Sequence, residues 1–120
     1  MPRNLLFICA MNRLRSPTAE AIFCECDGIE VDSAGLNRGA DVVLSAEQLE
    51  WADLVLVMEK MHKRKLNEKY GEHLKGKKVV VLNIPDDYEF MEDSLVNILR
   101  QKCANYLYNR LHIALILQTK

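Results

Sequence analysis

The sequence lacks the marks of export or membrane insertion. Its opening, Met1-Pro2-Arg3-Asn4, runs into an apolar stretch of only five residues, Leu5 to Cys9, too short for a signal core. No apolar run approaches a membrane span, and the longest late one, Ile113 to Leu117, is five residues. Excess charge is also missing. A formal net charge of −1 gives no bulk support for a generic nucleic-acid or membrane binder. The four cysteines, Cys9, Cys24, Cys26 and Cys103, contain no C-x-x-C pair, and the three histidines are scattered, so no metal or cofactor is expected. Without a leader, the thiols are expected to be reduced and the protein cytoplasmic. There is no internal repeat, linker or low-complexity segment.

What is present fits one domain over residues 1–120, with 49% hydrophobic and 28% charged residues. Asn4 to Cys9 reads as a buried strand, followed by a polar loop from Ala10 to Ser16. Pro17 suits a first helical position with Ser16 as N-cap, and that helix should run to about Cys26 before Asp27-Gly28. Ile29 to Ser33 is a second strand. Ser45 to Gln48 forms a capping box for a short helix, and Asp53 to Met58 is a third strand. A basic helix runs from Lys60 to about Tyr70 and should stop at Gly71. Val79 to Leu82 is the fourth strand, and a loop spans Asn83 to Tyr88. From Met91 onward, Leu95, Ile98, Leu99, Cys103, Tyr106, Leu107 and Leu111 recur at helical spacing. Apolar strands separated by helices predict an α/β, three-layer, doubly wound domain with a four-stranded parallel sheet. Ligands of such sheets bind beyond the carboxyl ends of the strands.

One loop carries a chemical signature. Cys9, then Ala10, Met11, Asn12, Arg13 and Leu14, then Arg15-Ser16-Pro17, link a buried strand to a helix start. Successive backbone N–H groups in such a loop can surround a phosphate, and the helix end adds positive potential. Arg15 can bond two phosphate oxygens at once. A thiol at a helix N-terminus beside a cation is favoured as the thiolate, which can attack phosphorus. A cysteine closing a strand is more often core packing, but the strand before it, the helix after it and the Ser-Pro following the arginine argue for a site.

Leu5-Leu6-Phe7-Ile8-Cys9 through Arg15-Ser16-Pro17-Thr18-Ala19-Glu20 resembles the opening of the low-molecular-weight protein tyrosine phosphatases, V-L-F-V-C-x-x-N-x-x-R-S-P-x-A-E. Ser33-Ala34-Gly35, Asp53 to Glu59 and Ile84-Pro85-Asp86-Asp87-Tyr88 resemble later segments of that family in order. The resemblance implies hydrolysis of a phosphate monoester through a phosphocysteine, without a cofactor. It implies Cys9 as nucleophile, Arg15 as phosphate clamp, residues 10–16 as the phosphate-binding loop and Ser16 as a hydrogen-bond partner of the thiolate. Asn12 would hold the loop's shape with Ser33. Asp86 aligns with the general acid, while Asp87 takes the place of the usual proline, and on chemistry alone either could serve. Tyr88 would line the pocket wall. Without the cysteine loop, Asp86-Asp87 and Ser33-Ala34-Gly35 would read as ordinary turns, and Trp51 reads as core.

The chain is shorter than usual members of that family. It also lacks the second thiol often found within two positions before the arginine, where Arg13 and Leu14 stand. The run Lys60 to Lys65 is either a solvated face or, with Arg13, a positive rim selecting anionic partners. Those partners are a phosphorylated protein or another anionic phosphomonoester, RNA ends included. The alternatives are a degenerate phosphatase that only binds phosphorylated ligands and a thiol-coupled arsenate reductase. The latter needs relay cysteines, and Met58 to Lys102 contains none. The oligomeric state is left open.

Overall fold

The computed structural model describes residues 4–107. Its strands are β1 (Asn4–Cys9), β2 (Glu30–Gly35), β3 (Leu54–Val57) and β4 (Lys78–Val81), all parallel in the order β2-β1-β3-β4. The helices are α1 (Arg15–Phe23), α2 (Ala46–Trp51), α3 (Lys60–Tyr70) and α4 (Asp93–Leu107), with a 3₁₀ turn at Gly71–Leu74.

Strand β1 is central, which is why its sequence does not alternate between apolar and polar residues. Leu5, Phe7 and Cys9 face one layer with Phe23 of α1 and Leu95, Leu99 and Cys103 of α4. Leu6 and Ile8 face the other, with Leu49 of α2 and Leu66 of α3. The Phe7 and Phe23 rings stack with centroids 5.8 Å apart. Phe7 is wholly buried, a contribution of roughly 1.5–3 kcal/mol. The chain turns to one side of β1 to make β2 and to the other to make β3. A crevice therefore opens beyond the carboxyl ends of β1 and β3, where Cys9 and Glu59 lie.

Several boundaries differ from the sequence expectation. Helix α1 begins at Arg15 with Leu14 as its N-cap residue, and Ser16 is inside the first turn with its hydroxyl bonded elsewhere. It ends at Phe23, with Cys24 as C-cap. Strand β2 runs on to Gly35 because Ala34 and Gly35 pair with Ile8 and Cys9. Gly71 does not stop a helix: its φ of −51° continues the turn into the 3₁₀ segment. The reversal falls at Gly76, with φ +77°. The capping box at Ser45 and Gln48 is formed. Leu111 lies outside the described residues. Among the described residues, no helix is long and apolar enough to cross a membrane.

Candidate active site

The loop after β1 turns sharply at Asn12, whose φ is 55°, a left-handed conformation that asparagine tolerates better than most residues. That turn brings the Asn12 N–H to 3.2 Å from Cys9 Sγ. The carbonyls of Cys9, Ala10 and Met11 accept bonds from the N–H groups of Leu36, Asn37 and Asp41, each at 3.0 Å. These oxygens, which would repel an anion, therefore face the neighbouring segment rather than the cavity. Gly35 makes that approach possible. A Cβ there would lie 2.7 Å from Ala10 O, 3.0 Å from Asn12 N and 2.5 Å from Ala40 Cβ.

The buried hydrogen bonds behind the loop have a defined polarity. Ser33 Oγ donates to Glu20 Oε1 at 2.6 Å. The Asn12 amide nitrogen donates to Ser33 Oγ and to Ser16 Oγ, both at 2.9 Å. Ser16 Oγ lies 3.0 Å from Cys9 Sγ. With Ser33 donating to Glu20 and both Asn12 amide protons taken by Ser33 and Ser16, the Ser16 hydroxyl and the Cys9 sulfur are left as each other's partners. Asn12, Ser16, Ser33 and Arg15 are all buried.

Arg15 is 3% exposed. Its Nη1 donates to Glu59 Oε2 at 2.5 Å and to the Ile84 carbonyl at 2.8 Å. That leaves the Nε–Nη2 edge for a bidentate ligand, with Asp86 Oδ1 3.8 Å from Nε. Glu59 is anchored in turn by His62, whose Nδ1 accepts the Glu59 N–H at 3.1 Å. His62 is buried, and its pKa lies below the ordinary 6.5. Burial is the main cause, with Arg15 and Lys65 adding to it and Glu59 and Asp86 opposing it. A neutral ring with a free Nδ1 lone pair is the form that this bond requires.

A cavity of about 240 Å³ is lined by Cys9, Ala10, Met11, Arg13, Leu14, Arg15 and Asp86. Arg13 lies at its rim, bonded through Nε to Asp41 at 3.1 Å and through Nη2 to the Gly39 carbonyl at 3.2 Å. Asp87 and Tyr88 do not line the cavity. Asp87 is exposed, with its N–H on the Pro85 carbonyl, and Tyr88 packs against the core. Lys63, Arg64 and Lys65 are exposed, while Lys60 and Met61 border a neighbouring groove with Glu59, Asn83 and Pro85. Among the described residues, no group of histidine, cysteine and acidic side chains could hold a metal ion.

Sequence reasoning passed over Glu59 and His62. The signal available was the spacing itself, an acid at the end of a strand and a histidine three residues into the next helix.

No family model matches the chain, and no curated protein matches it in sequence. Solved structures do. SP-PTP, a low molecular weight protein tyrosine phosphatase from Streptococcus pyogenes, superposes with a TM-score of 0.74 at 15% identity, over 93% of this chain and 97% of that one. The tyrosine phosphatase AmsI of Erwinia amylovora gives 0.69 at 25% identity, over 91% and 95%. A cysteine-to-serine mutant of the YwlE arginine phosphatase, with a phosphorylated active-site serine, gives 0.68 at 25% identity, over 90% and 98%.

Proposed function

We propose that this chain, a member of the low-molecular-weight protein tyrosine phosphatase family, is a phosphatase that cleaves phosphate monoesters through a phosphocysteine. The observation that carries this reading is the convergence of Cys9, the buried Arg15 and Asp86 on one cavity, with the Ser16 hydroxyl on the sulfur.

The substrate phosphate takes the cavity, held by the Nε–Nη2 edge of Arg15 and the backbone N–H groups of the loop. Cys9 Sγ attacks phosphorus. The S–P bond forms as the bond from phosphorus to the leaving oxygen breaks, and Asp86 gives that oxygen its proton. The Asp86 carboxylate then takes a proton from water as the water oxygen bonds to phosphorus. The S–P bond breaks, inorganic phosphate leaves and Cys9 is again a thiolate. Arg15 and the N–H groups neutralise charge that builds on the equatorial oxygens. The phosphorylated serine of the YwlE mutant supports a phospho-enzyme at the nucleophile's position. Asp86 is preferred to Asp87 as the acid because it lines the cavity and Asp87 does not.

The arsenate reductase reading loses its one late thiol. Cys103 is wholly buried in the core, and burial pushes its pKa up to about 12, so it is poorly placed to relay a disulfide. Within the phosphatase reading, an anionic substrate is favoured by Lys60 on the neighbouring groove and by Arg13 at the cavity rim, the latter shared with Asp41.

The test is hydrolysis of para-nitrophenyl phosphate and of phosphotyrosine with chelator present, in the parent and in Cys9→Ser, Asp86→Ala and Asp87→Ala. Turnover should vanish in Cys9→Ser and fall about 10²-fold in Asp86→Ala, with Asp87→Ala close to the parent. A folded, reduced parent that turns over neither compound but binds phosphate would support the phospho-ligand-binding alternative instead.

A further inference from the structure

The loop carrying Asp86 is held at both ends by one face of α1. At its start, Arg15 donates to the Ile84 carbonyl at 2.8 Å. At its end, the Met91 N–H donates to Thr18 Oγ1 at 3.0 Å. The Thr18 hydroxyl proton is already committed to the Leu14 carbonyl at 2.6 Å, which leaves its lone pair aimed at Met91. Thr18 is fully buried, although Met91 itself is 41% exposed. Arg15 and Thr18 are three residues apart on the helix and so share a face.

The segment between these anchors also lies between two non-glycine residues in left-handed backbone, Asn83 at φ 57° and Met91 at φ 60°. Asparagine accepts that conformation readily. Methionine does not, because its Cβ there crowds the following carbonyl oxygen. Met91 is held there by a local turn, with the Glu92 N–H on the Glu89 carbonyl at 3.1 Å and the Glu89 N–H on Glu92 Oε1 at 3.0 Å, and by its own N–H on Thr18, the bond of the three that ties this turn to α1.

We propose that Thr18 is a positioning residue: by fixing Met91 it sets the height of the acid loop over the phosphate loop, and so the reach of Asp86 to the leaving oxygen. The inference rests on the phosphatase reading given above. It assigns Thr18 no contact with substrate. Its effect should therefore scale with how much the leaving group needs a proton.

The experiment compares kcat/KM of the parent, Thr18→Val and Thr18→Ser on phenyl phosphate, a poor leaving group, and para-nitrophenyl phosphate, a good one. Inorganic phosphate as a competitive inhibitor reports the phosphate loop. Thr18→Val should lose about tenfold on phenyl phosphate and less than about twofold on para-nitrophenyl phosphate, a fraction of what a general acid contributes. The inhibition constant for phosphate should not move, and Thr18→Ser should restore the parent ratio. In an Asp86→Asn background, Thr18→Val should add nothing on phenyl phosphate. Equal losses on both esters, weaker phosphate inhibition, no loss at all, or a loss that persists beside Asp86→Asn would each overturn the proposal. If Thr18→Val does not fold, Thr18→Ala is read by the same ratios, since it removes the acceptor without placing a methyl group against the Met91 N–H. A folded parent inactive on both esters sinks the phosphatase reading itself. An active parent with a flat response to residue 18 sinks only the tether.

Discussion

Ser16 and Asn12 show how a few side chains give a sulfur a directed environment. Ser33 donates to Glu20 and Asn12 donates to Ser33 and Ser16, so that Cys9 Sγ takes the Asn12 N–H and lies against the Ser16 hydroxyl. A hydrogen bond to a charged partner contributes about 1.5–3 kcal/mol, so Ser16→Ala should lower kcat/KM for an aryl phosphate roughly tenfold to a hundredfold. Steady-state kinetics with the fold checked by circular dichroism would measure it. A second expectation concerns oxidation. Arg13 and Leu14 fill the loop positions where a resolving thiol would stand, and Cys103 is sealed in the core. Peroxide should therefore carry Cys9 past the sulfenic acid to sulfinic and sulfonic acids, a loss of activity that thiol does not reverse. Intact mass and activity after thiol treatment would check this, and full recovery through a Cys9 disulfide would contradict it.

At the scale of elements, two helix starts build the site. The first turns of α1 bring Arg15, Ser16, Thr18 and Glu20, and the start of α3 brings His62 against Glu59. Because the His62 pKa is lowered by folding, the unfolded chain takes up the proton first as pH falls. The His62 contribution to stability is therefore complete above the ordinary 6.5 and is lost as pH drops from there through the lower folded value. The groups around it are mixed: Arg15 and Lys65 press the same way as burial, and Glu59 and Asp86 press against it. Between about pH 7.5 and about pH 5.5 the parent should lose more melting temperature than His62→Asn, which keeps an acceptor for the Glu59 N–H but cannot ionise. Equal losses in thermal melts of the two proteins would remove His62 from the account.

At the scale of the whole molecule, the sheet acts as the jig for the loop. Gly35 lies beside Cys9 in the β1–β2 register, against the backbone of Ala10 and Asn12. A methyl group at 35 would meet backbone atoms that cannot step aside, so Gly35→Ala should both destabilise the fold, by about 1–3 kcal/mol, and displace the phosphate loop. Denaturant unfolding would give the first effect and phosphate inhibition the second. A variant with unchanged phosphate affinity would show that the loop tolerates the shift.

Much of this organisation is legible in the sequence alone. The apolar runs at Leu5 to Cys9 and Leu54 to Val57 have no polar face, so a parallel sheet covered on both sides follows from burial alone. The spacing from Cys9 to Arg15, closed by Ser-Pro, singles out this loop as the candidate site because it needs only local backbone geometry. The helix boundaries were less legible. Ser16 has the character of an N-cap, yet its hydroxyl is claimed by Cys9 and Asn12 from outside the helix. Likewise, Tyr88 belongs to a segment aligned with the pocket, but core packing takes its ring.

The sequence by itself thus determined the sheet class, the loop and the residue types that can handle a phosphate, since periodicity and short-range spacing carry that information along the chain. The tertiary structure alone decided which carboxylates matter: Glu59 on Arg15, Glu20 behind Ser33, Asp86 on the cavity and Asp87 off it. Those pairings join residues up to tens of positions apart. Their identity depends on strand order and loop height, which no local pattern encodes.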